Sequence, residues 1–397
     1  MTDFAATRAQ FHIPEDVIYL DGNSLGPLPR TAEARVAAAV REEWGEMLIG
    51  GWNRAGWIEM PRILGDRIGT LIGAEPGSVV LGDTVSIKIY QALAAALEMR
   101  PDRRVVLSDR GNFPTDLYMA QGLIASLGRG HTLRMVAPEE VEAAIDEDVA
   151  VVLLTEVDYR TGRLHDMARL TARAQAAGAL TIWDLAHSAG ALPVDLAGAG
   201  ADFAAGCTYK YLNAGPGAPA YIYVAPRHSD RALPALSGWF GHAAPFAFEP
   251  GYRPGVGIDR MRIGTPPVLQ MAVVEAALGV WEGVSLADVR QRSIQLSDLF
   301  IAEVESRCPQ LTLLTPRDPS RRGSQVSFGF SEGYAAIQAL IARGVVGDFR
   351  APDIMRFGIT PLYIGEEELM RAALILQDVM ENRLWDEPAY RFRAAVT

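Results

Sequence analysis

The segment GCTYKYLNAGPGAPA sets Lys210 in a polar, glycine-bounded turn, and a lysine amine in such a place can form a Schiff base with a carbonyl cofactor. Asp184 closes the apolar run LTIWDLA, with His187 three positions later; a carboxylate there can hold a protonated heteroaromatic nitrogen. In DTVSIKIYQAL, Thr84, Val85 and Ser86 open a helix directly after a strand, where free N–H groups suit a phosphate. In NFPTD, Phe113 precedes a helix whose first turn holds Asp116, and a ring at that position can stack on a flat ligand. Each feature alone has an ordinary reading: Asp184 as a helix cap, Lys210 as solvated surface, Phe113 as core, and Thr84 and Ser86 as caps. Their common position is what favours chemistry.

That position follows from the elements around them. From residue 79 the chain alternates β-rich runs (79–82, 104–109, 131–137, 149–157, 180–186) with alanine-rich helical stretches, the pattern of parallel strands joined by crossover helices. The runs are nearly continuously apolar, which predicts burial on both faces. Two further strands are expected at 202–206 and 219–224. Open α/β sheets take ligands at the carboxyl ends of their strands, where all four features fall. Residues 225–268, rich in Gly, Pro and aromatics, read as a long functional loop. The tail reads as a helix (285–307), strands around LTLLTP and SQVSFGF, a helix (334–344), a strand MRFGIT and a final helix from 365. The expected division is an N-terminal segment 1–48 packing with the small domain, a large domain 49–282 and a small α+β domain 283–397.

Composition narrows the function. The 397 residues are 49% hydrophobic and 21% charged, ordinary globular usage, and the net charge of -11 disfavours nucleic acid and anionic membranes as partners. Cys207 and Cys308 form no disulfide framework, and no leader or membrane-spanning run is visible, so a cytoplasmic protein is expected. Walker, HExxH and CxxC motifs are missing and the six histidines are scattered, so no metal is expected.

The joint order of anion turn, aromatic, strand-end acid and lysine matches pyridoxal-5′-phosphate (PLP) enzymes with the aspartate aminotransferase fold. More specifically, YLDGNSLGPLP (19–29), NFPTDLYMAQGL (112–123), IWDLAHSAG (182–190), GCTYKYLNAGPGAPA (206–220), GWFGHA (238–243) and GTPP (264–267) resemble segments of the kynureninase family, in family order. The resemblance implies a PLP-dependent homodimer that cleaves L-kynurenine between Cβ and Cγ to anthranilate and L-alanine. Position by position, Lys210 matches the Schiff-base lysine, Asp184 the partner of the pyridine nitrogen, Phe113 the stacking ring, and Tyr209 a proton-transfer tyrosine beside the phosphate. Asp83, Thr84, Asp116, Thr155 and His187 match further cofactor contacts. Trp239 and Thr265 match residues supplied across the dimer interface, and Arg356 matches the arginine that grips the substrate α-carboxylate. Trp52 and Thr265 resemble the bacterial pattern, which implies preference for unsubstituted kynurenine over its 3-hydroxy form. The alternatives are an aminotransferase or cysteine desulfurase of the same fold, or a PLP-binding protein without activity.

Overall fold

The computed structural model describes residues 1–392. Seven strands form one sheet in the order Val79–Leu81, Tyr221–Val224, Phe203–Gly206, Leu180–Asp184, Val149–Thr155, Val105–Asp109, Thr132–Val136. All pairings are parallel except those of Tyr221–Val224, which runs antiparallel to both its neighbours. Six of the strands are buried along their length, as their apolar runs require. Thr132–Val136, one of the two edge strands, is the exception, a mixture of exposed and half-buried residues, whereas the other edge, Val79–Leu81, is covered by helix Met60–Leu71. The crossover helices Val85–Glu98, Pro114–Leu127 and Met167–Ala176 cover the faces. The second of these ends at Gly128, whose φ of 59° is the left-handed turn that glycine adopts without strain.

A smaller four-stranded antiparallel sheet (Thr312–Leu313, Gln325–Gly329, Ile354–Gly358, Asp348–Arg350) packs with helices Leu286–Arg307, Gly333–Ile341 and Glu366–Glu381. The N-terminal segment has two attachments. Ile18–Tyr19 pairs in parallel with Val345–Val346, and Gly358 N–H donates to the Leu20 carbonyl, so this part belongs with the small sheet. Helix Arg30–Ala38 instead lies on helix Val268–Gly279, with Arg35 Nε 2.5 Å from Glu275. The α-helix ends at Ala38 and the chain continues as a π-turn, Ala39–Trp44. Residues 225–268 form a chain of short 3-10 turns, among them Trp239–Gly241 and Gly257–Met261.

Candidate functional site

A pocket of about 280 Å³ opens at the carboxyl ends of the parallel strands. Its wall carries Thr84 and Ser86 from the helix start, Phe113 and Asp116 from the next helix, Asp184 and His187 from the strand end, and Tyr209 and Lys210 from the turn beyond. The sheet puts them there: Thr155 and Asp184 are register partners at the ends of adjacent strands, and Asp184 pairs in turn with Ala205, just before the Lys210 turn. That turn is braced from outside by the N-terminal segment, where Gly26 N–H donates to the Tyr209 carbonyl at 2.8 Å. A Cβ on Gly26 would stand 2.5 Å from the Lys210 carbonyl oxygen, so only glycine allows this approach.

Lys210 Nζ lies 3.1 Å from His187 Nε2, and 5.7 Å from the Phe113 ring centroid. Burial, then the charges of Lys210, Arg356 and Arg350, drive the His187 imidazole well below its usual range, so it is neutral. An ammonium only donates, hence Nε2 accepts and the ring proton sits on Nδ1. Among the described residues Nδ1 and Gln325 Oε1 are both buried without a hydrogen-bond partner, and Gln325 opposes the downward shift.

Asp116 and Asp184 are both almost fully buried. Burial and the neighbouring Asp184 charge raise Asp116 well above the carboxylate range. Asp184 is raised too, mainly by burial, while Lys210 and the Ala186 N–H (2.8 Å) oppose this. With its pKa raised this far, Asp116 stays protonated beside Asp184. The pocket therefore holds one protonated and one ionised carboxyl, and the charge kept on Asp184 suits a protonated ring nitrogen. With a lysine for the aldehyde, a flanking aromatic ring and an N–H-rich turn for a phosphate, the residues fit PLP.

The other expected site residues stand elsewhere. Thr155 is buried at its strand end, its hydroxyl donating to Asn112 Oδ1. Asp83 turns away from the pocket into a crevice shared with Thr265. Trp52, Phe240 and Trp239 form an aromatic cluster, with Phe240 centroids 5.7 Å from Trp52 and 4.0 Å from Trp239. Within one chain, neither Trp52, Trp239 nor Thr265 lines the Lys210 pocket. Arg356 is buried one strand in, with Nε 2.6 Å from Asp348 Oδ1, Nη2 on Asp348 Oδ2 and Ser24 Oγ, and Nη1 on the Tyr159 carbonyl.

The comparisons give the family. The chain is 53% identical to kynureninase of Pseudomonas fluorescens over 99% of this chain and 96% of that protein. Kynureninase of Burkholderia pseudomallei is 51% identical over the same shares. The chain belongs to the kynureninase family. Residues 289–376 match the kynureninase C-terminal domain model. The fold is also that of a cysteine desulfurase from Thermococcus onnurineus NA1 (TM-score 0.80, 18% identity, 96% of this chain and 99% of that one). The same holds for a C-DES variant with glycine covalently linked to its PLP cofactor (TM-score 0.79, 20% identity, 95% and 100%). The kynureninase cofactor is PLP. Reasoning from sequence missed Asp348, Gln325 and Tyr159, which converge on Arg356 and His187 from separate segments and share no local motif.

Proposed function

We propose that this chain hydrolyses L-kynurenine between Cβ and Cγ, releasing anthranilate and L-alanine. The observation that carries the reading is the Lys210–His187 contact beside the buried Asp116–Asp184 pair, in a chain that matches kynureninases along nearly its whole length. Bound PLP supplies an electron sink for the carbon adjoining the substrate amine. Lys210 Nζ is the group that takes the α-proton, and neutral His187 holds it in place. Asp184, on the pocket wall, would hold positive charge on the cofactor ring nitrogen. Water adds to the γ-carbonyl, so that cleavage expels a carboxylic acid and leaves an electron pair to be protonated at Cβ. Tyr209 is the candidate donor there. The adjacent Cys207 and burial push its phenol above its ordinary value, so it holds its proton until it is needed. Arg356, in the small domain, is the residue we assign to the substrate α-carboxylate.

The working unit in this reading is a homodimer. Trp44, Leu48, Ile49, Phe246, Phe248 and Val256 are exposed, and Phe246 packs edge-on against Trp239, the kind of apolar surface that a second chain can cover. Trp239 and Thr265 are assigned to the partner's site. Trp52 and Thr265 offer little to a 3-hydroxyl, which favours plain kynurenine. The domain boundaries 49–282 and 283–397, with 1–48 as an N-terminal segment, are part of the same reading, as is a cytoplasmic location, supported by two free buried cysteines.

The test is incubation of the purified protein with PLP and L-kynurenine. Anthranilate fluorescence and alanine should rise together in equal amounts. A protein that takes up PLP and forms neither product would overturn the assignment.

A further inference from the structure

We propose that Lys88 is a positioning residue of the phosphate cradle: from beneath the Gly82–Asp83–Thr84 turn it cancels the Asp83 charge and ties the turn to the strip carrying Thr265. The inference rests on the reading of this turn as the seat of the cofactor phosphate.

An aspartate at a phosphate-binding turn is an electrostatic problem, because two anions at close range repel strongly away from bulk water. The fold resolves it by direction and by charge. Asp83 sits at φ 55°, a left-handed conformation that swings its side chain off the pocket wall formed by Thr84, Val85 and Ser86. Its Oδ2 meets Lys88 Nζ at 3.0 Å. Lys88 belongs to the helix that Thr84 caps, its own N–H bonded to the Thr84 carbonyl, and its side chain is fully buried. The remaining contacts of Nζ are Gln91 Oε1 at 3.1 Å and the Met261 carbonyl at 3.0 Å.

All three partners are acceptors. A neutral amine has two N–H donors and an ammonium has three, so this geometry is that of the charged form, even though burial works against it. Gln91 is oriented by its own Nε2 bond to Met261 at 3.3 Å, which leaves its oxygen for Lys88. The ammonium thus joins three elements. Through Asp83 it fixes the turn, which is latched to the start of the neighbouring strand Tyr221–Val224 by the Ala220 N–H on the Asp83 carbonyl at 3.0 Å. Through Met261 it fixes the chain leading to Thr265, and Asp83 and Thr265 line the same crevice. The other nearby cation, Arg262, has Asp259 at 3.6 Å, so Asp83 is left to Lys88.

The experiment measures cofactor uptake by the apoprotein, from the yellow absorbance on titration with PLP and, separately, with pyridoxal, which lacks the phosphate. Lys88→Met leaves Asp83 without its counter-charge and should weaken PLP binding about ten- to hundredfold, with pyridoxal binding little changed. Asp83→Asn combined with Lys88→Met removes both charges and should return PLP affinity to within about tenfold of the parent protein, the remaining loss being that of the tie to Met261. Asp83→Asn alone should bind PLP at least as tightly as the parent. Equal losses for PLP and pyridoxal in Lys88→Met would overturn the proposal, since only general collapse of the site would explain them. So would a double variant no better than Lys88→Met, or an Asp83→Asn variant that binds PLP tenfold more weakly. If Lys88→Met does not fold, the double variant decides, because it buries no unpaired charge. None of these readouts depends on cleavage of kynurenine.

Discussion

Replacing Arg356 by lysine tests the substrate grip. The guanidinium has five N–H groups, and four have protein acceptors: two on Asp348, one on Ser24 Oγ and one on the Tyr159 carbonyl. Asp348 holds the Nε–Nη2 edge, so a substrate carboxylate can meet only the Nη1–Nη2 end, displacing Ser24 or Tyr159. A lysine has three donors on one point and cannot hold Asp348 while presenting two parallel bonds to a second carboxylate. The loss is one charge-assisted fork, roughly 1.5 to 3 kcal/mol, or about ten- to hundredfold in kcat/KM. Steady-state rates with L-kynurenine measure it, and PLP affinity is the control, since the cofactor pocket is lined by other residues. Asp348→Asn should act in the same direction, by freeing the guanidinium head to turn. Unchanged kcat/KM in Arg356→Lys would refute the reasoning. A matching loss of PLP affinity would refute it as well, by making Arg356 a support of the cofactor site.

Lys210→Ala should abolish both the yellow absorbance of the lysine–cofactor adduct and turnover; retention of either would move the Schiff base to another residue. Glu156, buried with Oε2 unpartnered, has its pKa raised by burial from 4.5 to about 7. The folded state then holds a proton that the unfolded chain has released, so stability falls as pH rises from the unfolded value through 7, by roughly 3 kcal/mol in all. Glu156→Gln should remove this slope and unfold at a higher temperature than the parent at pH 8; parallel pH profiles would count against it. Mixing inactive Lys210→Ala and Thr265→Arg chains should regenerate one working site per mixed dimer, and no recovery in proven mixed dimers would exclude a shared site. Trp52→His with Thr265→Asn should raise the relative use of 3-hydroxykynurenine in competition assays.

The large sheet was legible because its strands carry their own signal: apolar on both faces, bounded by helical periodicity and glycine stops. The pocket was legible for the same reason, since strand ends in such a sheet share one edge, and Lys210, Asp184, His187 and Phe113 all sit at those ends. Thr132–Val136 was read as buried because sequence does not say which edge strand a helix will cover: Val79–Leu81, at the other edge, is covered by helix Met60–Leu71. The two-residue strands at 18–19 and 345–346 are too short for any period, and their pairing partner lies at the other end of the chain. Asp348 was invisible for a related reason. Nothing in GDFR marks an acid whose partner is brought opposite it by antiparallel register, yet Asp348 and Arg356 are register partners. Lys88 likewise looks, in sequence, like the polar side of a helix, and only the turn of residues 257–261 closing over it makes it a buried cation.

The pairing of Ile18–Tyr19 with Val345–Val346 also bears on how the protein comes into being. Contacts between such distant parts of a chain are slow to form, because a long loop must close before any energy is returned. On a ribosome the N-terminal segment emerges first but has no strand to join until nearly the whole polypeptide has followed. Gly26, which braces the Lys210 turn, lies only a few residues beyond that strand. The lysine turn can therefore be made with the large sheet, and the segment carrying Gly26 can anchor on helix Val268–Gly279, but its second anchor waits for residues 345–346. Synthesis order thus delays the second anchor of the brace, and a product terminated before residue 345 would hold Gly26 from one side only.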